Sequence, residues 1–224
     1  MDMDERQVMM RDIGLQIFMI FLFIFVFLGI YGIPQRLFAK LRFQNRASVD
    51  AKRHFVKGAQ LLAQARSSNA RTRSATTSLA KEALAEAEKA IALDPKDAAA
   101  YLLKAMVLDL QGFRTSALES LDAALSPLAA GSLASGERGD ALLKRGELKL
   151  ATSQRGKVDP ALADLTESVK LSPRNVKAWS LLGECYEGKK MEEEAKKAYQ
   201  EALQLEPELS AAQEALKRLS SASS

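Results

Sequence analysis

The chain's single tryptophan and single cysteine fall in one short stretch, "AWSLLGECYEG" (178–188), with Glu184 between Trp179 and Cys185. A thiol acts as a nucleophile only as the thiolate, which needs a cation, a helix N-terminus or a base beside it. Cys185 instead has Glu184 and Glu187 for neighbours, and these raise a thiol's pKa, so it is expected to pack as a small hydrophobe. His54 is the only histidine. It cannot assemble a His-rich metal site or a Ser–His pair backed by a second histidine, and it reads as a solvated helix residue. Gly131 and Gly136 in "GSLASGER" have the glycine spacing of a phosphate loop, but Glu137 and Arg138 stand where Lys and Ser or Thr are needed. A carboxylate there repels phosphate. The acids of "MEEEAKK" (191–197) read as a solvated helix start supported by Lys196 and Lys197. No catalytic, metal or cofactor site is expected, so the chain reads as a binding protein and not an enzyme.

Charge is unevenly spread. The formal net charge is +4, yet residues 36–81 hold eleven bases against the single acid Asp50, while both flanking parts are net acidic. The basic balance therefore describes one segment rather than a basic fold, and nucleic-acid binding is not expected. A lone cysteine excludes an intrachain disulfide.

Between the polar tail 1–12 and that basic segment runs "IGLQIFMIFLFIFVFLGIYGIP" (13–34), which has no charged residue. About 20 such residues at about 1.5 Å each cover the roughly 30 Å hydrocarbon layer of a bilayer. A cleaved signal peptide needs a basic start, a shorter apolar run and a small-residue cleavage site. Here the tail is acidic, the run is longer, and Arg36-Leu37-Phe38 follows Pro34, expected to end the helix. The expectation is an uncleaved signal-anchor. Arg6 and Arg11 precede it, whereas Arg36, Lys40, Arg42, Arg46, Lys52 and Arg53 follow, which predicts that the bulk of the chain faces the cytosol. Arg36, Lys40, Arg42 and Arg46 lie in a basic stalk (35–47) with Leu37, Phe38 and Leu41, suited to an anionic membrane surface. An endoplasmic reticulum or other endomembrane location is favoured, with mitochondrial and plastid outer membranes as alternatives.

Beyond the stalk the chain repeats itself. "ALAEAEKAIALDP" (83–95), "ALADLTESVKLSP" (161–173) and "AKKAYQEALQLEP" (195–207) superpose without gaps, aligning Ala83, Ala161 and Ala195, then Pro95, Pro173 and Pro207. "ALESLDAALSP" (117–127) is the same unit shortened by two residues. Each is a strong helix former with one stripe of small or apolar residues, stopped by a proline. From Trp179 to Pro207 the chain resembles the tetratricopeptide repeat (TPR) family. Trp179, Leu182, Gly183 and Tyr186 match its first helix, and Ala195, Tyr199 and Pro207 match its second. Looser copies carry Gly58 with Leu61, then Tyr101, Ala105 and Leu108, then Leu142 and Gly146.

The resemblance implies an all-α, helix-pair solenoid over residues 48–220, with pairs at 48–95, 98–127, 139–173 and 176–207, a capping helix at 208–220 and a short tail, 221–224. Segments 67–78, 127–140 and 153–159 are read as insertions at helix junctions. It also implies that the first helix of each pair lines a groove for a protein segment. That places Phe55, Ala59, Leu62, Leu102, Leu103 and Met106 in an apolar half, and Lys144, Glu147, Lys177, Glu184 and Glu187 in a charged half. One TPR subgroup clamps the acidic tails of Hsp70 and Hsp90 with Lys, Asn and Arg. The matching positions are Phe55, Ala59, Leu103, Asp140 and Lys144, of which only Lys144 fits, so chaperone-tail binding is not expected. The sequence thus points to a membrane-anchored TPR adaptor. The alternatives are a targeting or import receptor for amphipathic segments, or a subunit of a membrane assembly.

Overall fold

A computed structural model describes residues 13, 16–23, 33–67, 72–152 and 158–222, with only the backbone path given for 33–45. It divides the chain into two units, 1–49 and 50–224. In the first, residues 16–23 are helical, and α1 (Ile33–Arg66) begins. Pro34 is helical and the helix continues after it, so helix follows the proline expected to stop it; the residues immediately before Ile33 lie outside the described ones. Among the described residues no helix is long and apolar enough to cross a membrane. Residues 14, 15 and 24–32 of the expected span lie outside the described residues, as does the tail 1–12.

The second unit holds the rest of α1 and then α2 (Arg73–Leu93), α3 (Ala98–Leu110), α4 (Arg114–Ala124), α5 (Ser135–Thr152), α6 (Asp159–Leu171), α7 (Val176–Gly188), α8 (Glu192–Leu205) and α9 (Ser210–Ala222). Helices α1/α2, α3/α4, α5/α6 and α7/α8 form four pairs, and α9 closes the series. Part of the segment read as an insertion after α1 is helix: Thr72 caps α2 by accepting from the Ala75 N–H at 3.2 Å. Between the second and third pairs lies a 3-10 turn, Ala130–Ser132, which the Ser132 hydroxyl ties to the start of α3 by accepting from Ala98 N–H at 2.9 Å.

Two turns recur, each with an identifiable cause. Between pairs, the helix stops two residues before a proline at Leu93, Leu171 and Leu205. Six residues after each proline a side chain reaches back. Tyr101, Trp179 and Gln213 donate to the carbonyls of Pro95, Pro173 and Pro207 at 3.3, 2.8 and 2.7 Å. Trp179 is therefore a turn fastener as well as a filler. Within pairs, α3 and α7 end alike: Phe113 N–H donates to Leu108 carbonyl, and Met191 N–H to Tyr186 carbonyl, both at 2.9 Å. This closure requires a left-handed residue. It is Gly112 (φ 86°) in the second pair and Lys190 (φ 59°) in the fourth.

The core is a series of overlapping clusters, each built from successive helices. Leu62 of α1, Ala80, Ala83 and Ala87 of α2, and Leu103 and Val107 of α3 form one. Ala105, Leu108, Ala117, Leu121 and Leu148 link α3, α4 and α5. Small residues set the helix spacing. A Cβ on Gly183 would stand 2.6 Å from the Tyr199 ring, and one on Gly146 would stand 3.0 Å from Leu165. At the end, Ala212, Ala215 and Leu219 of α9 cover Ala195 and Tyr199 of α8.

Candidate partner-binding surface

Cys185 is 1% exposed among Leu143, Leu165, Val169, Leu182 and Ala198. Burial, with Glu184 adding to it, pushes its thiol up to about 11. It packs and is not poised to react. Among the described residues no group of three His, Cys, Asp or Glu is arranged to hold a metal ion.

The expected groove residues divide when placed in the fold. Leu62 and Leu103 are 4% and 1% exposed. They belong to the α1–α2–α3 core and not to a ligand surface, because α3 turns Leu103 inward between α1 and α2. Phe55, Ala59 and Met106 are half-buried on the edge of that same cluster, and Leu102 is half-buried against the next. The charged half is a ladder across three first helices. Lys144 of α5 meets Asp109 of α3 at 2.7 Å and its own neighbour Glu147 at 3.4 Å, and Glu147 takes Lys177 of α7 at 2.5 Å. Burial works against the Lys144 charge, but Asp109 and Glu147 outweigh it and raise its pKa. Glu187 accepts from the Tyr199 hydroxyl at 2.7 Å and from Arg218 of α9 at 2.9 Å, so it locks the cap. Glu184 is exposed, and partial desolvation, then Glu187, raises its carboxyl pKa. Of the four stalk cations only Arg46 has a described side chain, and it is exposed.

Two buried carboxylates were not among the expected site residues. Glu86 of α2, 4% exposed, meets the His54 ring at 2.6 Å and Lys57 and Lys89 at 3.0 Å each. His54 is thus an α1 contact to α2, not a merely solvated residue. The His54 ring first, then Lys89 and Lys57, hold the Glu86 carboxyl down at about 2 against the opposing effect of burial. Asp164 of α6, 5% exposed, is gripped by Arg145 through two bonds of 2.8 and 2.5 Å and by Lys149 at 2.7 Å. Glu86 and Asp164 each stand three residues after the aligned alanines Ala83 and Ala161. Superposing the repeats would have found them as acids on an inward stripe.

The geometry can now be set beside known proteins. The tetratricopeptide repeat family model matches residues 176–209, covering α7, α8 and the proline turn. The chain carries a tetratricopeptide repeat. Solved structures resemble the helical stack: MamA from residue 41 to its end, from Desulfovibrio magneticus RS-1, at 20% identity and a TM-score of 0.59, over 76% of this chain and 83% of that one; and PilF of Pseudomonas aeruginosa at 19% identity and 0.56, over 77% and 68%. At these identities the likeness is one of fold. Among curated proteins no relative was found. Among the described residues the chain is all-helical, and residues 50–224 form a TPR-like stack of helix pairs.

Proposed function

We propose that the chain is a non-enzymatic TPR adaptor, anchored in a membrane by residues 13–34, that recruits a protein to the cytosolic face through the first helices of its pairs. The observation that carries the anchor is the uncharged run itself. In its described part, the helical residues 16–23, every side chain is exposed, with Phe18, Phe21 and Phe23 at 63, 67 and 76%. A helix apolar on all sides needs an apolar surrounding. The cations Arg36, Lys40, Arg42 and Arg46 suit the adjoining anionic surface. The adaptor reading rests on the half-buried apolar residues Phe55, Ala59, Leu102 and Met106 beside the charged ladder, a surface suited to a protein segment rather than to a small substrate.

The test is full-length protein with a C-terminal proximity-labelling enzyme. It should resist alkaline extraction from membranes, its repeats should be digested by protease added to intact right-side-out vesicles, and it should label a reproducible set of proteins. Met106→Glu should lose those proteins while the chain still folds by circular dichroism, the lost packing against the α1–α2–α3 cluster lowering its melting temperature only modestly. Extraction at alkaline pH would remove the anchor. Full protease protection would overturn the cytosolic assignment, and purification in a fixed stoichiometric complex would favour a structural subunit.

A further inference from the structure

The side of the solenoid formed by second helices has a cleft of about 400 Å3 whose floor is α3 and whose walls are α2 and α4. Leu84, Ile91, Tyr101 and Leu108 give it an apolar lining. The same three helices recur as α6, α7 and α8, shifted by the 78 residues that separate Pro95 from Pro173, and the comparison shows why this cleft is open. At the positions of Lys104 and Ser120 the later copy has Leu182 and Ala198, both buried in a cluster with Val169 on which Trp179 and Tyr186 also pack. In the first copy neither polar residue fills the space. Lys104 leans across to Glu88 at 3.0 Å, and the Ser120 hydroxyl donates to the Ser116 carbonyl of its own helix at 2.9 Å. On the rim, Glu119 is exposed and takes part in none of the described ion pairs, and Glu88 has Lys104 alone. The cleft is thus an apolar slot under a rim with excess negative charge.

We propose that this α2–α3–α4 cleft is a second docking site, distinct from the first-helix face. It takes a bulky apolar side chain from a partner protein's peptide segment that carries a lysine or arginine beside it. The inserted side chain supplies the apolar packing that Leu182 and its neighbours supply internally in the later copy, and the adjoining cation meets Glu119. Charge complementarity of this kind selects the partner, while the buried side chain holds it.

The test uses the full chain in lipid nanodiscs and fluorescence anisotropy with two labelled hexapeptides, one with a leucine–phenylalanine centre flanked by lysines and one with glutamates in their place. The lysine peptide should bind and the glutamate peptide should not. Glu119→Lys, an exposed change that does not threaten folding, should weaken binding by about threefold or more. Ala123→Phe should fill the slot and weaken it by about tenfold. The double change Lys104→Leu and Ser120→Ala, which copies the closed cleft, should abolish it. Met106→Glu on the first-helix face should leave it unchanged, which separates this site from the adaptor surface. Failure of the lysine peptide to bind, equal binding of both peptides, or unaltered binding to Glu119→Lys and Ala123→Phe would overturn the proposal. So would a cleft occupied by a second copy, seen as self-association that Ala123→Phe abolishes.

Discussion

At the scale of single residues, the stretch that most invites a chemical reading is explained by packing. Cys185 sits where α7 must pass close to α6 and α8, and a small apolar side chain suits that space. With its thiol at about 11, a maleimide at neutral pH should leave it unlabelled in folded protein and label it after denaturation; rapid labelling of the folded state would contradict the packing role. Cys185→Ala should cost about 1 to 2 kcal/mol, as for a small cavity. Lys190 offers the opposite sign. It holds the left-handed position that Gly112 holds in the second pair, and a side chain there is strained. Lys190→Gly should raise stability by about 0.5 to 1 kcal/mol in chemical denaturation, whereas Gly112→Lys should lower it. Two equal losses would show that this turn is not held by the backbone angle.

At the scale of elements, the buried carboxylates fasten α2 to α1 and α6 to α5. A carboxyl whose pKa is depressed on folding stabilises the fold above its unfolded value and loses that contribution as pH falls through the folded value. For Glu86 the window runs from 4.5 down to about 2. The melting temperature should therefore fall over that range, and Glu86→Gln should start lower at neutral pH but show a shallower acid slope. An unchanged slope would mean that the α1–α2 contact does not depend on this charge. The helices themselves were legible, because proline, alanine and glycine recur at fixed offsets and each has a local conformational effect. What escaped was set by partners on other helices. Nothing local to Glu86 announces that His54 and Lys57 lie across from it. The inward turn of Leu103 was equally hidden, since Leu102 and Leu103 are both apolar and periodicity cannot say which of two adjacent leucines faces the core.

For the whole molecule, the overlapping clusters mean that each pair is completed by the helix that follows it. The last pair depends on α9, which covers Ala195 and Tyr199 and pairs Arg218 with Glu187. Ending the chain after Pro207 should expose that apolar face, lower the melting temperature by several degrees and promote aggregation, as expected for a repeat array without its polar cap. Arg218→Ala alone should do much less, because an exposed ion pair is screened by solvent. If the truncated chain melted like the full one, α9 would be an appendage rather than a cap. The candidate groove was only partly legible for a related reason. The solenoid reading located the first-helix face, but which of its charges stay available depends on the ladder from Asp109 to Lys177, whose ion pairs form only once three helices are side by side.

The bond from the Trp179 ring N–H to the Pro173 carbonyl at 2.8 Å gives the fold an optical signal of its own. This is the only indole in the chain, and it sits at the junction of α6 and α7. Its emission therefore reports on one joint of the stack and is blind to the first two pairs. If the array unzips from one end rather than melting at once, the colour of the tryptophan and the helical dichroism of the whole chain will change at different denaturant concentrations, and the gap between the two curves measures how far one joint can loosen while the others hold.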